Sequence, residues 1–165
     1  MLVMAAEIER KFLVQGTGWR AGTCTRLCQG YLNRAKERTV RVRIAGNEAF
    51  LTIKSQTRGA TRAEFEYGIP VTDAEQLLTL SDGPILEKNR YVIVHEGFKW
   101  EVDEFFGDNT GLVLAEIELT SEDQPFSHPP WLGREVTHDS RYYNSNLAGH
   151  PYSRWRAELD PAAPQ

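Results

Sequence analysis

Cysteine is almost missing: the 165-residue chain has two, Cys24 and Cys28. Their C-x3-C spacing has no second pair at zinc-ligand distance, which leaves two reduced, partly buried thiols and no disulfide framework. No run approaches the ~18 apolar residues a membrane span needs. The opening Met1-Leu2-Val3-Met4-Ala5-Ala6 is too short for a signal-peptide core and lacks a basic flank, so a cytoplasmic protein with no membrane partner is expected. Bases are not in excess either, with 19 Lys and Arg against 23 Asp and Glu, which argues against nucleic acid as the main partner. There is no G-x4-G-K-[ST] loop, so any phosphate must be held by side chains. His95, His128, His138 and His150 are scattered without ligand spacing. No repeat and no boundary divide the chain, so one domain over 1–165 is expected, with its core at about 5–150 and a frayed tail from Asp160.

What the chain has in quantity is charge placed at period 2. Ala5–Val14 reads as a strand with Glu7, Glu9 and Lys11 on one face and Ile8 and Phe12 on the other. Two carboxylates two residues apart repel unless something cationic sits over them. A glycine-punctuated connection leads to a second strand over Thr25–Asn33. Arg38–Ile44 then alternates almost strictly, Val40, Val42 and Ile44 against Arg41 and Arg43, and Gly46-Asn47 turns it back into Ala49–Ser55 with Thr52 and Lys54 on the wet face. Arg62–Ile69 sets Glu64 and Glu66 opposite Phe65 and Tyr67. Thr72-Asp73-Ala74-Glu75 reads as a capping box for a helix over Asp73–Leu80. Ile85–His95, with Lys88 and Arg90, turns at Glu96-Gly97 into Phe98–Phe105, with Glu101 and Asp103. Asp108–Gly111 turns again into Leu112–Leu119, with Glu116 and Glu118. Beyond a proline-rich link, Trp131–Thr137 is ambiguous and Ser140–Ala148 reads as a second helix.

The wet faces of these eight segments collect eight acids and six bases, mostly as same-sign pairs at i, i+2. A solvated sheet face would mix in Ser, Thr, Asn and Gln; here the pairs are segregated by sign. Closed into a barrel, the strands would turn this charge inward and their apolar faces outward, to be covered by the two helices and the Trp131 and Trp155 segments. Fourteen charges cannot all be desolvated, at several kcal/mol per ion, so the lumen must be wet and take a charged occupant. Arginine pairs and lysines suit a polyanion, and paired carboxylates suit a hard divalent cation. A metal–polyphosphate complex asks for both.

These residues also carry a family resemblance. Glu7-x-Glu9-x-Lys11 resembles the E-x-E-x-K signature of the CYTH superfamily, the triphosphate tunnel metalloenzymes. It is followed in the right order by Arg41-x-Arg43, Lys54, Glu64 and Glu66, Lys88-Asn89-Arg90, Trp100–Asp103, Ala115–Leu119, Glu135–Thr137 and Tyr143–Ala148, over about residues 5–150. The resemblance implies a mostly β fold, an eight-stranded antiparallel closed barrel with a charged interior and a few covering helices. It implies binding of a small triphosphate with Mg²⁺ or Mn²⁺. By the same resemblance Glu7, Glu9, Asp103, Glu116 and Glu118 would hold metal. Lys11, Arg41, Arg43, Lys54, Lys88 and Arg90 would bind phosphate. Glu64 and Glu66 would take a second metal or order the attacking water, and Lys88 would orient or deprotonate that water. Hydrolysis of inorganic tripolyphosphate is the implied reaction, in a monomer or homodimer. An adenylate cyclase of class IV type, a thiamine triphosphatase, or a non-catalytic polyphosphate-binding module are the alternatives.

Overall fold

The computed structural model describes residues 6–159, so the expected frayed tail lies outside the described residues. All eight expected strands form: β1 (Ala6–Val14), β2 (Thr23–Asn33), β3 (Arg38–Ala45), β4 (Glu48–Ser55), β5 (Thr61–Ile69), β6 (Leu86–His95), β7 (Phe98–Phe105) and β8 (Val113–Glu118). They pair antiparallel in the order β5-β4-β3-β2-β6-β7-β8-β1, and β1 pairs with β5 to close the barrel. A ninth strand, β9 (Leu132–Glu135), resolves the ambiguous Trp131–Thr137 segment. It takes the edge of β1 that β5 leaves, with Phe12 opposite Glu135 and Val14 opposite Leu132.

The turns are where the sequence put them. Ala45 and Glu48 close a two-residue hairpin with Gly46 at φ +58°. His95 and Phe98 close another, in which Glu96 and Gly97 both have positive φ, at 46° and 83°. That is the backbone a primed turn demands, and it matches the right-handed twist of the flanking strands.

The first helix differs from expectation. α1 runs over Val71–Leu78, so Thr72 lies inside it and the expected capping box is not used. Pro70 occupies the N-cap, and its carbonyl accepts the Ala74 N–H at 3.0 Å. A proline needs no donor of its own at a helix start.

Apolar side chains lie mainly outside the barrel. Val42, Ala49 and the flanking Ile44 and Leu51 are covered by Ala74 and Leu78 of α1. Trp100, Val102, Ala115 and Ile117 lie under Trp19, Trp131 and Leu132, with Phe126 edge-on to Trp100. These two covers follow the sequence expectation. The last segment does something else. Ser140–Tyr142 forms a single 3-10 turn, and α2 begins only at Asn144, running to Gly149; α3 follows at Arg156–Leu159. Tyr142, Leu147, Ala148 and Trp155 of this segment pack on Tyr31, Leu86, Phe105 and Leu114. Those four strand residues share the inward face with Arg41, Lys88, Asp103 and Glu116, as period 2 and the pairing registers require. The segment therefore plugs one end of the barrel and does not clad its wall. Among the described residues no helix is long and apolar enough to cross a membrane.

Candidate active site

The open remainder of the barrel is a cavity of ≈ 640 Å³ lined by Glu7, Glu9, Lys11, Arg41, Arg43, Lys54, Arg62, Glu64, Glu66, Arg90, Lys99, Glu101, Glu116 and Glu118. Register explains how they meet. On β1 and β8, Glu9 faces Glu118 and Lys11 faces Glu116; on β7 and β8, Glu101 faces Glu116. On β4 and β5, Lys54 faces Glu64 and Thr52 faces Glu66. Glu7 faces Arg62 across the closing seam.

Much of this charge is paired internally. Glu7, 6% exposed, takes the Lys54 ammonium at 2.9 and 3.0 Å and Arg62 Nε at 3.1 Å. Burial alone would raise its carboxyl, but Lys54 and Arg62 overcome that and hold it down at about 2. Glu116 lies 3.3 Å from Lys11, whose Nζ also donates to the Tyr142 carbonyl at 3.3 Å. Lys11, Arg90 and Lys88 outweigh burial there and keep the Glu116 carboxyl well below the usual range.

Three carboxylates are not so balanced. Burial, Glu116 and Glu7 push the Glu9 carboxyl well above the usual range. Burial with Glu7 and Glu101 raises Glu118, and burial with Glu7 and Glu66 raises Glu64. Among the described residues neither Glu9 nor Glu118 has an ion-pair partner, although they sit directly opposite each other. Like charges at that position destabilise a sheet unless a cation lies between them. No three carboxylates among the described residues yet converge at ligand spacing, because Glu7 and Glu116 are turned onto Lys54, Arg62 and Lys11. The donor set, hard oxygens with unmet charge, fits a divalent cation.

The basic wall has the complementary deficit. Arg41, 7% exposed, donates from Nη2 to Thr52 Oγ1 at 3.2 Å and lies 3.9 Å from Glu66, while its buried Nε has no hydrogen-bond partner among the described residues. Arg41 lines the cavity, and a guanidinium on its wall is suited to binding anionic oxygens bidentately. Arg43 stands beside it, with its Nε donating to Gln29 at 2.9 Å.

Two expected site residues sit elsewhere. Asp103 is not in the lining; its oxygens take Lys88 at 2.6 Å and Arg90 at 2.7 and 2.8 Å. Buried behind the wall and outside the cavity lining, Asp103 is closed off by Lys88 and Arg90, so the expected ligand role does not fit the geometry. Lys88, fully buried behind the wall, donates to Asp103 and to Asn144 Oδ1 at 2.9 Å. Burial outweighs the attraction of Asp103 and, with the nearby Arg90 and Arg43 guanidiniums, lowers the Lys88 ammonium to about 7. Arg90 reaches the cavity but also binds Glu101, so it arrives with both neighbours engaged. Sequence reasoning missed Arg62 and Lys99, yet both stand two residues before a recognised acid and share its face. Asn144 and Gln29 carried no comparable signal.

A closed antiparallel barrel with both signs of charge on its inner wall, plugged at one end, defines a class of side-chain tunnels for a metal-bearing polyanion. The family description "CYTH domain" matches residues 5–148, and the chain belongs to that family. It is 47% identical over 157 residues to an inorganic triphosphatase of Acetivibrio thermocellus, covering 93% of this chain and 99% of the relative. It is 42% identical over 146 residues to an inorganic triphosphatase of Nitrosomonas europaea, covering 86% and 96%. A crystal structure of an inorganic triphosphatase matches with a TM-score of 0.61 at 40% identity, over 90% of this chain and 95% of that one.

Proposed function

We propose that this chain is an inorganic triphosphatase, cleaving tripolyphosphate to pyrophosphate and phosphate with Mg²⁺ or Mn²⁺. The observation that carries the reading is one cavity with the Arg41 and Arg43 guanidiniums on one wall and unpaired, opposed carboxylates on another. Glu9, Glu118, Glu116 and Glu7 would hold the ion. When bound, it would supply Lewis-acid polarisation of phosphoryl oxygens and offset part of the substrate's charge.

The chain's own residues do the rest by position and charge. Arg41 and Arg43 offer forks to phosphate oxygens, and Lys11, Lys54 and Arg62 exchange their carboxylate partners for them. Glu64 is the group we assign to accept the proton of the attacking water, because burial and its acidic neighbours raise its proton affinity. Water then bonds to the terminal phosphorus, the bridging P–O bond breaks, and pyrophosphate leaves with the bond's electrons. Glu66 flanks Glu64 at the half-exposed mouth and binds Thr52 Oγ1 at 3.2 Å. We assign Asp103 and Lys88 to holding Arg90 and the plug.

The test is a substrate comparison under Mg²⁺ and under Mn²⁺. Tripolyphosphate is expected to be cleaved in preference to ATP, thiamine triphosphate and pyrophosphate. Cyclic AMP as the main product from ATP would overturn the reading in favour of a cyclase, and binding without turnover would make the chain a polyphosphate module.

Acid is expected to raise the metal requirement. Glu9 holds its proton above the pH at which an ordinary carboxyl has lost it, and an incoming cation must displace that proton. As pH falls through the raised Glu9 value, the metal concentration for half-maximal rate should climb by up to about tenfold per pH unit. A metal requirement that does not rise on acidification over the range in which the protein stays folded would count against Glu9 as a ligand.

A further inference from the structure

We propose that Asn144 is a positioning residue, through which the plug fixes the cation half of the tunnel. The inference rests on the triphosphatase reading for its functional consequence and on side-chain geometry for its existence.

Leu147 and Ala148, 1% and 3% exposed, anchor α2 among the inward apolar residues of the barrel end. That leaves Asn144, the helix's first residue, directed inward. Its Oδ1 accepts from Lys88 Nζ at 2.9 Å and from Gln29 Nε2 at 3.3 Å. Gln29 is fully buried, and its Oε1 accepts from Arg43 Nε at 2.9 Å. The polarity of this chain is dictated from the arginine end. An arginine only donates, so Gln29 must turn its oxygen to Arg43 and its NH₂ to Asn144. Asn144 must therefore offer its oxygen to Gln29, and the same oxygen accepts from Lys88 Nζ. Each amide has one orientation that satisfies its neighbours, which is unusual for a side-chain network and makes it rigid.

The functional consequence follows from what the relay holds. A guanidinium fork binds a phosphate bidentately only when its plane is set beforehand, and Arg43 takes its orientation through Nε from Gln29. The same plug fixes Lys11 through the Tyr142 carbonyl. A segment that looks like a stopper thus orients Arg43, Lys88 and Lys11. The Tyr143–Ala148 stretch of the family resemblance thereby has a physical role.

The experiment compares Asn144→Leu, Asn144→Asp, Gln29→Leu and the Asn144→Leu/Gln29→Leu double variant. Kinetics on tripolyphosphate with Mg²⁺ are read beside thermal melts and hydrogen exchange of the Gln29 side-chain amide. Asn144→Leu is expected to raise KM about tenfold with a smaller change in kcat, because two buried donors lose their acceptor. Asn144→Asp, which keeps the acceptor, should restore KM to within about threefold of the wild type. Gln29→Leu should raise KM similarly, and the double variant should be little worse than either single, as members of one network are not additive. Wild-type KM in Asn144→Leu, effects that multiply in the double, or an Asn144→Asp as impaired as Asn144→Leu would each overturn the proposal. Should Asn144→Leu fail to fold, Gln29→Leu decides alone: a raised KM supports the relay and an unchanged one ends it. Exchange of the Gln29 amide is expected to be slow in the wild type and fast in Asn144→Leu with no substrate present. Fast exchange in the wild type would overturn the relay, whereas a wild type that ignores tripolyphosphate would overturn the functional reading alone.

Discussion

Glu116→Gln is expected to lose turnover by about 10²–10³-fold while the barrel stays folded. The carboxylate is held ionised at all working pH by Lys11, Arg90 and Lys88, so the substitution removes a full negative charge from the cavity. Glutamine has nearly the same shape, and its Oε1 can still accept from Lys11, which lies 3.3 Å from the native carboxylate. The apolar neighbours Ala115 and Ile117 face the other way, into the Trp100 cluster, and are untouched. Hence the loss falls on the chemistry: one anion fewer for the cation, while Lys11 keeps an amide oxygen and the Tyr142 carbonyl as acceptors. Phosphate release at saturating Mg²⁺ measures the rate, and a thermal melt within a few degrees of the wild type verifies the fold. Glu116 is a cleaner position than Glu7, whose replacement would strand two cations, Lys54 and Arg62. Activity that persisted unchanged in Glu116→Gln would end the metal-site reading.

The barrel could be read from the sequence because its charge obeys period 2 strand after strand. Arg41 and Arg43, or Glu116 and Glu118, announce a face, and eight such faces of mixed sign make sense only when turned towards one another. Closure, β1 against β5, was implied by the same logic and left no residue signature of its own. Three things were not legible. β9 is four residues long, too short to show alternation, and exists because β1 has an edge to fill. The Ser140–Ala148 pattern gave a helix but not its destination: an apolar stripe does not say whether it meets the outer wall or the barrel's end. Nor did the period distinguish depth. Asp103 shares a face with Glu101, yet lies nearer the plugged end, where Lys88 and Arg90 close over it. Face follows from sequence at two residues per repeat; the layer within a barrel depends on stagger, which the local pattern does not encode.

Asp103→Asn is expected to cost stability where Glu116→Gln does not, and that contrast separates the framework of the tunnel from its working face. Asp103 is 1% exposed and accepts from Lys88 at 2.6 Å and from Arg90 at 2.7 and 2.8 Å. Removing one member of such a buried cluster leaves the other charges uncompensated, at about 3–5 kcal/mol. At this chain length each kcal/mol moves the melting temperature by about 2–4 °C, so a fall of roughly 10 °C is expected. The sign of its pH dependence follows from Lys88, whose value of about 7 in the folded chain lies below the ~10.4 of an unfolded lysine. Between those values the unfolded state binds the extra proton, so stability rises with pH across that window. Without Asp103, Lys88 is pulled lower still and loses its proton more readily; above about pH 8 it carries no charge to strand, and Arg90 keeps Glu101. The gap between variant and wild type should therefore be wider near pH 6 than near pH 9, measured by calorimetric melts in matched buffers. A gap that is constant with pH would mean that Lys88 stays charged throughout, and a melting temperature equal to the wild type at pH 6 would mean that Asp103 does not hold the cluster together.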